Sequence, residues 1–282
     1  MANALERLLQ PSRLIEVVDI GANPIDGQPP YRPLMENRLC RVTGFEPQTD
    51  ALTALQEKAT DFERYLGYAI GDGDAHVLNI CEAIPGFTSL LDLDVNHINL
   101  FDFFRPTLDS IRKVDVTTKK LDEIEEIEFL DFLKIDIQGG ELSVFRNARN
   151  KLSRAIVVQT EVSFVTLYKN QASFGEIDIE LRAQGFIPHC FAELKKWPIA
   201  PCVVNGDPRI PLNQLLEADI VYVRDFSHPE ILSDDQLKHL ALISQICYGS
   251  ADLAMRCVML LEQRGSLQQG VLQQFIDIFS QR

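Results

Sequence analysis

Short runs of apolar, β-branched residues recur along most of the chain. They are Ile15–Ile20, Cys40–Phe45, Tyr65–Ile70, Phe132–Ile137, Ala155–Thr160 and Ile220–Val223, with a weaker run at Phe186–Phe191. Several are apolar on both faces, which suits strands buried between helical layers. Between them the apolar residues fall at helical spacing. Thr49 or Asp50 caps a helix carrying Leu52, Leu55 and Ala59. Glu141–Leu152 places Leu142, Phe145, Ala148 and Leu152 on one side. Ser173–Gln184 holds Phe174, Ile177 and Leu181 and stops before Gly185, a good C-terminal signal. Strand and helix in alternation predict an α/β fold around a parallel sheet.

Two stretches interrupt the alternation. Residues 73–120 hold strand-like pieces, a Pro85-Gly86 turn and the aromatic cluster Phe101–Phe104. They read as an insertion with a β-hairpin and a loop. Residues 195–214 carry Pro198, Pro201, Gly206, Pro208 and Pro211. They read as a long ordered loop over one end of the sheet, and such loops usually serve function. After Ser233 the pattern is purely helical, with Leu237, Leu240, Ala241 and Cys247 on a face, then Leu253, Cys257, Leu260 and Leu261. Leu267, Val271, Leu272, Phe275 and Phe279 follow, and Gly249 and Gly265 separate three helices. The expected division is a catalytic domain over 1–232 and a helical extension over 233–282. The extension either caps the sheet or forms a homo-oligomer interface.

Composition narrows the function. The formal charge is −14, from 27 Lys plus Arg against 41 Asp plus Glu. That balance disfavours nucleic acid, because phosphate contacts need clustered bases, and it disfavours an anionic membrane surface. No apolar run approaches the roughly 20 residues of a spanning helix. The N-terminal MANALERLLQPSR is charged where a secretory segment is apolar, so a cytoplasmic location is expected. Six scattered cysteines without a C-x-x-C pair read as small buried hydrophobes in a reducing compartment rather than disulfides or a zinc site.

Candidate chemistry gathers at strand ends. VVDIGAN (Val17–Asn23) ends a buried strand in Asp19 and turns at Gly21, where glycine permits close approach of a ligand. The full dinucleotide fingerprint is missing, since Pro24 and Ile25 stand between Gly21 and Gly27. GFEPQ ends the second strand in Glu46, and a carboxylate there can accept two hydrogen bonds from a ribose diol. The pair indicates an adenosine-bearing cofactor without a pyrophosphate. AIGDGD delivers Asp72, either to an adenine amino group or to a turn. LKIDIQGGEL delivers Asp136 at a strand end, with Lys134 on the same side and Glu141 opening a helix. QTEVSF brings Glu161 to the end of the next strand.

VVDIGAN, GFEP, AIGD and LKIDIQGGE, in this order, resemble the FkbM family of S-adenosylmethionine-dependent methyltransferases. TSLLD (Thr88–Asp92), TTKKLDEI (Thr117–Ile124) and QTEVSF also resemble it, and the likeness spans Leu14 to Phe226. It implies a class I, Rossmann-like fold: seven mostly parallel strands, the last antiparallel, with helices on both faces. It implies methylation of a hydroxyl, on a sugar, glycan or secondary metabolite. Carried over, Asp19, Gly21 and Asn23 line the methionine end of the cofactor, Glu46 holds the ribose, Asp72 the adenine side, and Asp136 meets the methyl group. The chain departs from the family at Ile25, where a glycine is usual, and at Gln138, where an acid is common. The ANPIDGQPPY loop looks like a feature of a subgroup.

Methyl transfer to a hydroxyl needs alignment and a base or metal at the acceptor proton. Asp136 is the leading base and Glu161 the second, with His97, His189 and His228 as alternatives. The two carboxylates could instead share a divalent cation such as Mg²⁺, although no dedicated metal motif is present. Ser89, Trp197 and Asn213 are candidate acceptor contacts, Trp197 by stacking on a sugar face. The charge excess favours a neutral or cationic acceptor. Two other readings stand beside this one. A nucleotide-dependent oxidoreductase or epimerase would share Glu46, and a non-catalytic adaptor would keep the fold and bind a partner through its helical tail.

Overall fold

The computed structural model describes residues 2–23 and 27–280, with side chains described through Ile278. Ten strands are present among them: β1 (Ile15–Ile20), β2 (Cys40–Phe45), β3 (Glu63–Leu66), β4 (Ala69–Ile70), β5 (Ala75–Cys81), β6 (Ile111–Lys119), β7 (Phe132–Ile135), β8 (Val157–Ser163), β9 (Phe186–Lys196) and β10 (Leu215–Arg224). Seven form the central sheet in the order β3-β2-β1-β7-β8-β10-β9. β3, β2, β1, β7 and β8 pair in parallel, and β10 runs antiparallel to both of its neighbours. This is the class I methyltransferase arrangement.

Helices cover both faces, as the two-sided apolar strands require. They are α1 (Ala2–Leu9), α2 (Arg32–Glu36), α3 (Thr49–Lys58), α4 (Val95–Ile98), α5 (Glu141–Arg146), α6 (Arg149–Leu152), α7 (Phe174–Ala183), α8 (Asp234–Tyr248), α9 (Ala251–Gln263) and α10 (Val271–Ser280). Val17, Phe132, Val157 and Val221 face α1, α2 and the three C-terminal helices. Val18, Ile20, Leu133 and Val158 face the opposite way, onto α5, α6 and α7. The helical extension is therefore a cap that shares its core with β1 and β7. Each leucine fully buried there, such as Leu237 or Leu240, contributes about 1.5–3 kcal/mol relative to exposure.

A polar anchor fastens the cap at the far end of the sheet. The Asp131 carboxylate accepts two hydrogen bonds from the Arg13 guanidinium, at 2.5 and 2.8 Å, and one from the Glu16 backbone at 2.9 Å. His239 of α8, wholly buried, lies 3.3 Å from the same carboxylate.

The insertion is more elaborate than a hairpin and a loop. The expected third strand, Tyr65–Ile70, is cut at Gly67: β3 joins the main sheet, while β4 joins β5 and β6 in a separate three-stranded sheet. A β-carbon at Gly67 would approach the Leu52 side-chain end to 2.9 Å, so the chain passes close to α3 at this bend. β5 and β6 pair antiparallel over seven residues, but α4 and 3₁₀ turns fill the space between them. The helix expected over Glu141–Leu152 is split into α5 and α6, although Leu142, Phe145, Ala148 and Leu152 all reach the core as predicted. α3 forms where expected, starting after Gln48, but buries no residue and has no side-chain cap. α7 follows a Ser173–Glu176 capping box. The Phe279 side chain falls outside the described residues.

Candidate functional site

The C-terminal ends of β1, β2, β7 and β8 converge, as open α/β sheets place them. β1 carries Asp19 in its last turn of pleat, 2% exposed. The Tyr31 hydroxyl donates to Asp19 Oδ2 at 2.6 Å, and Lys134 Nζ stands 3.5 Å from Oδ1. Burial raises the Asp19 pKa, opposed by Lys134 and Tyr31. The Lys134 ammonium, though buried, is held above its ordinary range by Asp19, Asp136 and Asp219, which outweigh the desolvation. It also donates to the Gly21 carbonyl at 3.2 Å. Gly21 has φ +83°, and a β-carbon there would fall 2.0 Å from the Asp136 carbonyl oxygen. The β1 turn and the β7 turn thus touch backbone to backbone, and only glycine permits it.

The second half of the site is organised by Gln138, at φ +57°. Its Nε2 donates to Asp136 Oδ1 and to Glu161 Oε2, each at 2.9 Å. Its Oε1 accepts from the Tyr168 hydroxyl at 3.1 Å. Its backbone carbonyl accepts from Ser89 Oγ at 2.6 Å. Glu141 clamps the same turn, its two oxygens accepting from the Ile137 and Gly139 N–H groups at 2.9 Å. Burial lifts the Glu141 carboxyl to about 7 against those hydrogen bonds. Glu161 is pushed well above the carboxylate range by burial, then by the nearby charges of Asp136 and Glu217. Lys195 reaches Glu161 at 3.4 Å and Glu217 at 2.9 Å. Asp219 rises to about 6 through burial and the Asp136 charge.

Two cavities meet here. The first is a narrow slot walled by Gly21, Glu46, Tyr68, Ile70, Leu78, Ser89 and Gln138. The second, about 750 Å³, is floored by Asp19, Lys134, Gln159, Lys195 and Asp219. Asn23 and Asp136 line both. The structure therefore brings Asp19, Gly21, Asn23, Glu46 and Asp136 together at one junction. Glu46 is 3% exposed, accepts from the Gln48 N–H at 2.7 Å, and is raised by burial.

The remaining candidates sit elsewhere. Asp72 is engaged in its own turn, with His76 at 2.8 Å and Thr118 at 3.2 Å, and lines neither cavity. Trp197 stacks on Phe103 at 5.3 Å and packs on Phe104 at 4.6 Å, so the loop closes on the insertion rather than on a cavity. Asn213 is exposed and outside both cavities. Ser89 lines the slot, but its hydroxyl is spent on Gln138 and on the Leu91 N–H. His97 is held by the Thr166 carbonyl, His189 by Ser250, and His228 stands by Glu230; none lines a cavity.

The family model for the methyltransferase FkbM domain matches residues 19–188, well over half of the chain. The chain belongs to the FkbM methyltransferase family. Solved structures with a similar chain path include magnesium protoporphyrin IX methyltransferase from Synechocystis PCC 6803 with bound S-adenosylmethionine, at 9% identity and TM-score 0.38, covering 79% of this chain and 77% of that one. Another is 1,6-didemethyltoxoflavin-N1-methyltransferase from Burkholderia thailandensis, at 11% identity and TM-score 0.37, covering 79% and 76%. At such scores they add nothing to the strand order. No curated protein matches the chain.

The residues present fit the family's cofactor. Asp19 Oδ1 is buried without a hydrogen-bond partner among the described residues, and Asp19 lines the larger cavity beside Asn23. A cation shared by Asp136 and Glu161 finds no support: the Gln138 amide lies between the two carboxylates, where such an ion would bridge them. Among the described residues, no group of three or more His, Cys, Asp or Glu side chains is placed to hold a metal. No helix among them is long and apolar enough to cross a membrane. The residues that sequence reading missed are Tyr31, Gln159, Tyr168, Lys195, Glu217 and Asp219. The last two carried a signal, acids at alternate positions in the otherwise apolar LLEADIVYV of β10.

Proposed function

We propose that this FkbM-family methyltransferase acts on a hydroxyl oxygen of a small polar or glycan acceptor held in the larger cavity. The observation that carries this reading is that Asp136 lines both cavities, so one carboxylate faces the cofactor slot and the acceptor space together. S-adenosylmethionine would supply an activated methyl group on a sulfonium. Glu46 in the slot would hold its ribose, and Asp19, Gly21 and Asn23 its methionine end, which would reach the near side of the larger cavity and leave the remainder to the acceptor. Asp136 would take the acceptor proton as the oxygen attacks. Gln138 orients that carboxylate by a direct hydrogen bond. Glu161, 4% exposed and raised well above its ordinary value by burial, supports the amide from behind instead of serving as a second base. Lys134, Gln159, Lys195 and Asp219 offer both donors and acceptors on the cavity floor, a surface matched to a polyhydroxylated molecule.

The test is Asp136→Asn. Removing a positioned general base costs about 10²–10⁴-fold in turnover, while calorimetric affinity for S-adenosylhomocysteine stays near the wild-type value. An Asn variant that methylates at the wild-type rate refutes the base assignment.

A further inference from the structure

The ANPIDGQPPY segment ends at Tyr31, one residue before α2, and its ring is buried edge-on against Phe132, with centroids 6.4 Å apart and planes at 87°. A phenylalanine would fill that space as well. The hydroxyl is the part that packing does not explain, and it is spent on a buried carboxylate oxygen, Asp19 Oδ2, at 2.6 Å. Such a charge-assisted bond is short and directional. With Oδ2 engaged, the other oxygen is fixed in direction. Asp19 Oδ1 makes no hydrogen bond among the described residues although it is buried. Its ion-pair neighbour, Lys134, stands 3.5 Å away and gives its hydrogen bond to the Gly21 carbonyl instead. Asp19 lines the larger cavity beside Asn23. Lys134 balances the charge of this oxygen without bonding to it, and a ligand that brings an N–H donor supplies the hydrogen bond that a buried acceptor otherwise lacks.

We propose that the Tyr31 hydroxyl locks the Asp19 carboxylate so that Oδ1 receives the α-ammonium group of the cofactor's methionine end. This rests on the cofactor reading above. Tyr31 is then a positioning residue: it touches Asp19 and acts through it. The methionine end is where the cofactor carries an ammonium donor, so the effect of Tyr31 is confined to that end.

The experiment compares two ligands by titration calorimetry on the full chain. S-adenosylhomocysteine carries the amino-acid end; 5′-methylthioadenosine has the adenosine and thioether without it. Tyr31→Phe should weaken S-adenosylhomocysteine roughly tenfold or more and leave 5′-methylthioadenosine within about twofold, the scale of one hydrogen bond to a charged group. Asp19→Asn should show the same split, and an Asn variant that weakens both ligands equally overturns the proposal even if the Phe variant fails to fold. Equal weakening of both ligands means a merely structural role and overturns the proposal. Unchanged affinity for both overturns it as well. A wild-type chain that binds neither ligand overturns the cofactor reading itself, a different result from a wild type that binds both and variants that fail to discriminate.

Discussion

Asp131→Asn tests how the helical cap is fastened to the sheet. The carboxylate is 1% exposed and accepts from Arg13, from the Glu16 backbone and, at 3.3 Å, faces His239 of α8. Burial alone would raise its pKa, but the close approach of His239 and the hydrogen bonds from Arg13 outweigh that and take it from 3.8 to about 2. A carboxyl moved from 3.8 to about 2 on folding contributes about 2 kcal/mol of stability. The sign follows from the direction: the folded pKa is below the unfolded one, so the contribution is complete above pH 4 or so and fades as pH falls toward about 2. Asn keeps the size and loses the charge. It also leaves the Arg13 guanidinium, 29% exposed, short of its partner, which water partly relieves; the total loss is expected at about 2–4 kcal/mol. Urea unfolding of the wild type and the variant at pH 7 and at pH 3 measures it. The difference should be largest at pH 7 and shrink at pH 3. A variant as stable as the wild type at pH 7, or a gap that widens in acid, refutes the reasoning.

Further outcomes follow from the site. Gln138→Leu should lower turnover by about ten- to a hundredfold and weaken S-adenosylhomocysteine by much less, because it frees both carboxylates from their shared donor; single-turnover kinetics beside calorimetry separate the two effects. Gly21→Ala should abolish cofactor binding or prevent folding, since its β-carbon would lie 2.0 Å from a backbone oxygen at φ +83°; a soluble Ala variant with wild-type affinity would show that the two turns separate freely. Glu141 is lifted from 4.5 to about 7, so its contribution to stability is full below pH 4.5 and is lost as pH rises through 7. Glu141→Gln should therefore flatten the fall in melting temperature between pH 5 and pH 8, and an unchanged slope would count against that assignment.

Much of the fold was legible because its strands are apolar on both faces and its helices carry clear stop signals. Six of the seven strands of the main sheet and the three C-terminal helices lie where the pattern placed them. The failures are local and physical. Tyr65–Ile70 reads as one strand by hydrophobicity, but Gly67 breaks it between two sheets. Trp197 suggested a sugar platform because it is aromatic in a proline-rich loop, yet Phe103 and Phe104, far away in sequence, take its ring. Asp72 stands at the end of AIGD, as the resemblance implies, but its side chain turns to His76 and Thr118, and Asn213 is exposed; motif position does not say which way a side chain faces.

The order of strands and helices along the chain, the family and the acids at the strand ends all follow from the amino-acid order, because periodicity and local motifs depend on neighbours along the chain. The tertiary structure decided what those acids touch. Gln138 read as a lost charge and proves to be the amide that joins Asp136 to Glu161. Tyr31 read as part of an unexplained loop and proves to hold Asp19. Hydrogen bonds between side chains 12 or 23 residues apart and the desolvation that shifts a buried carboxyl depend on distances in space, which no pattern along the chain records.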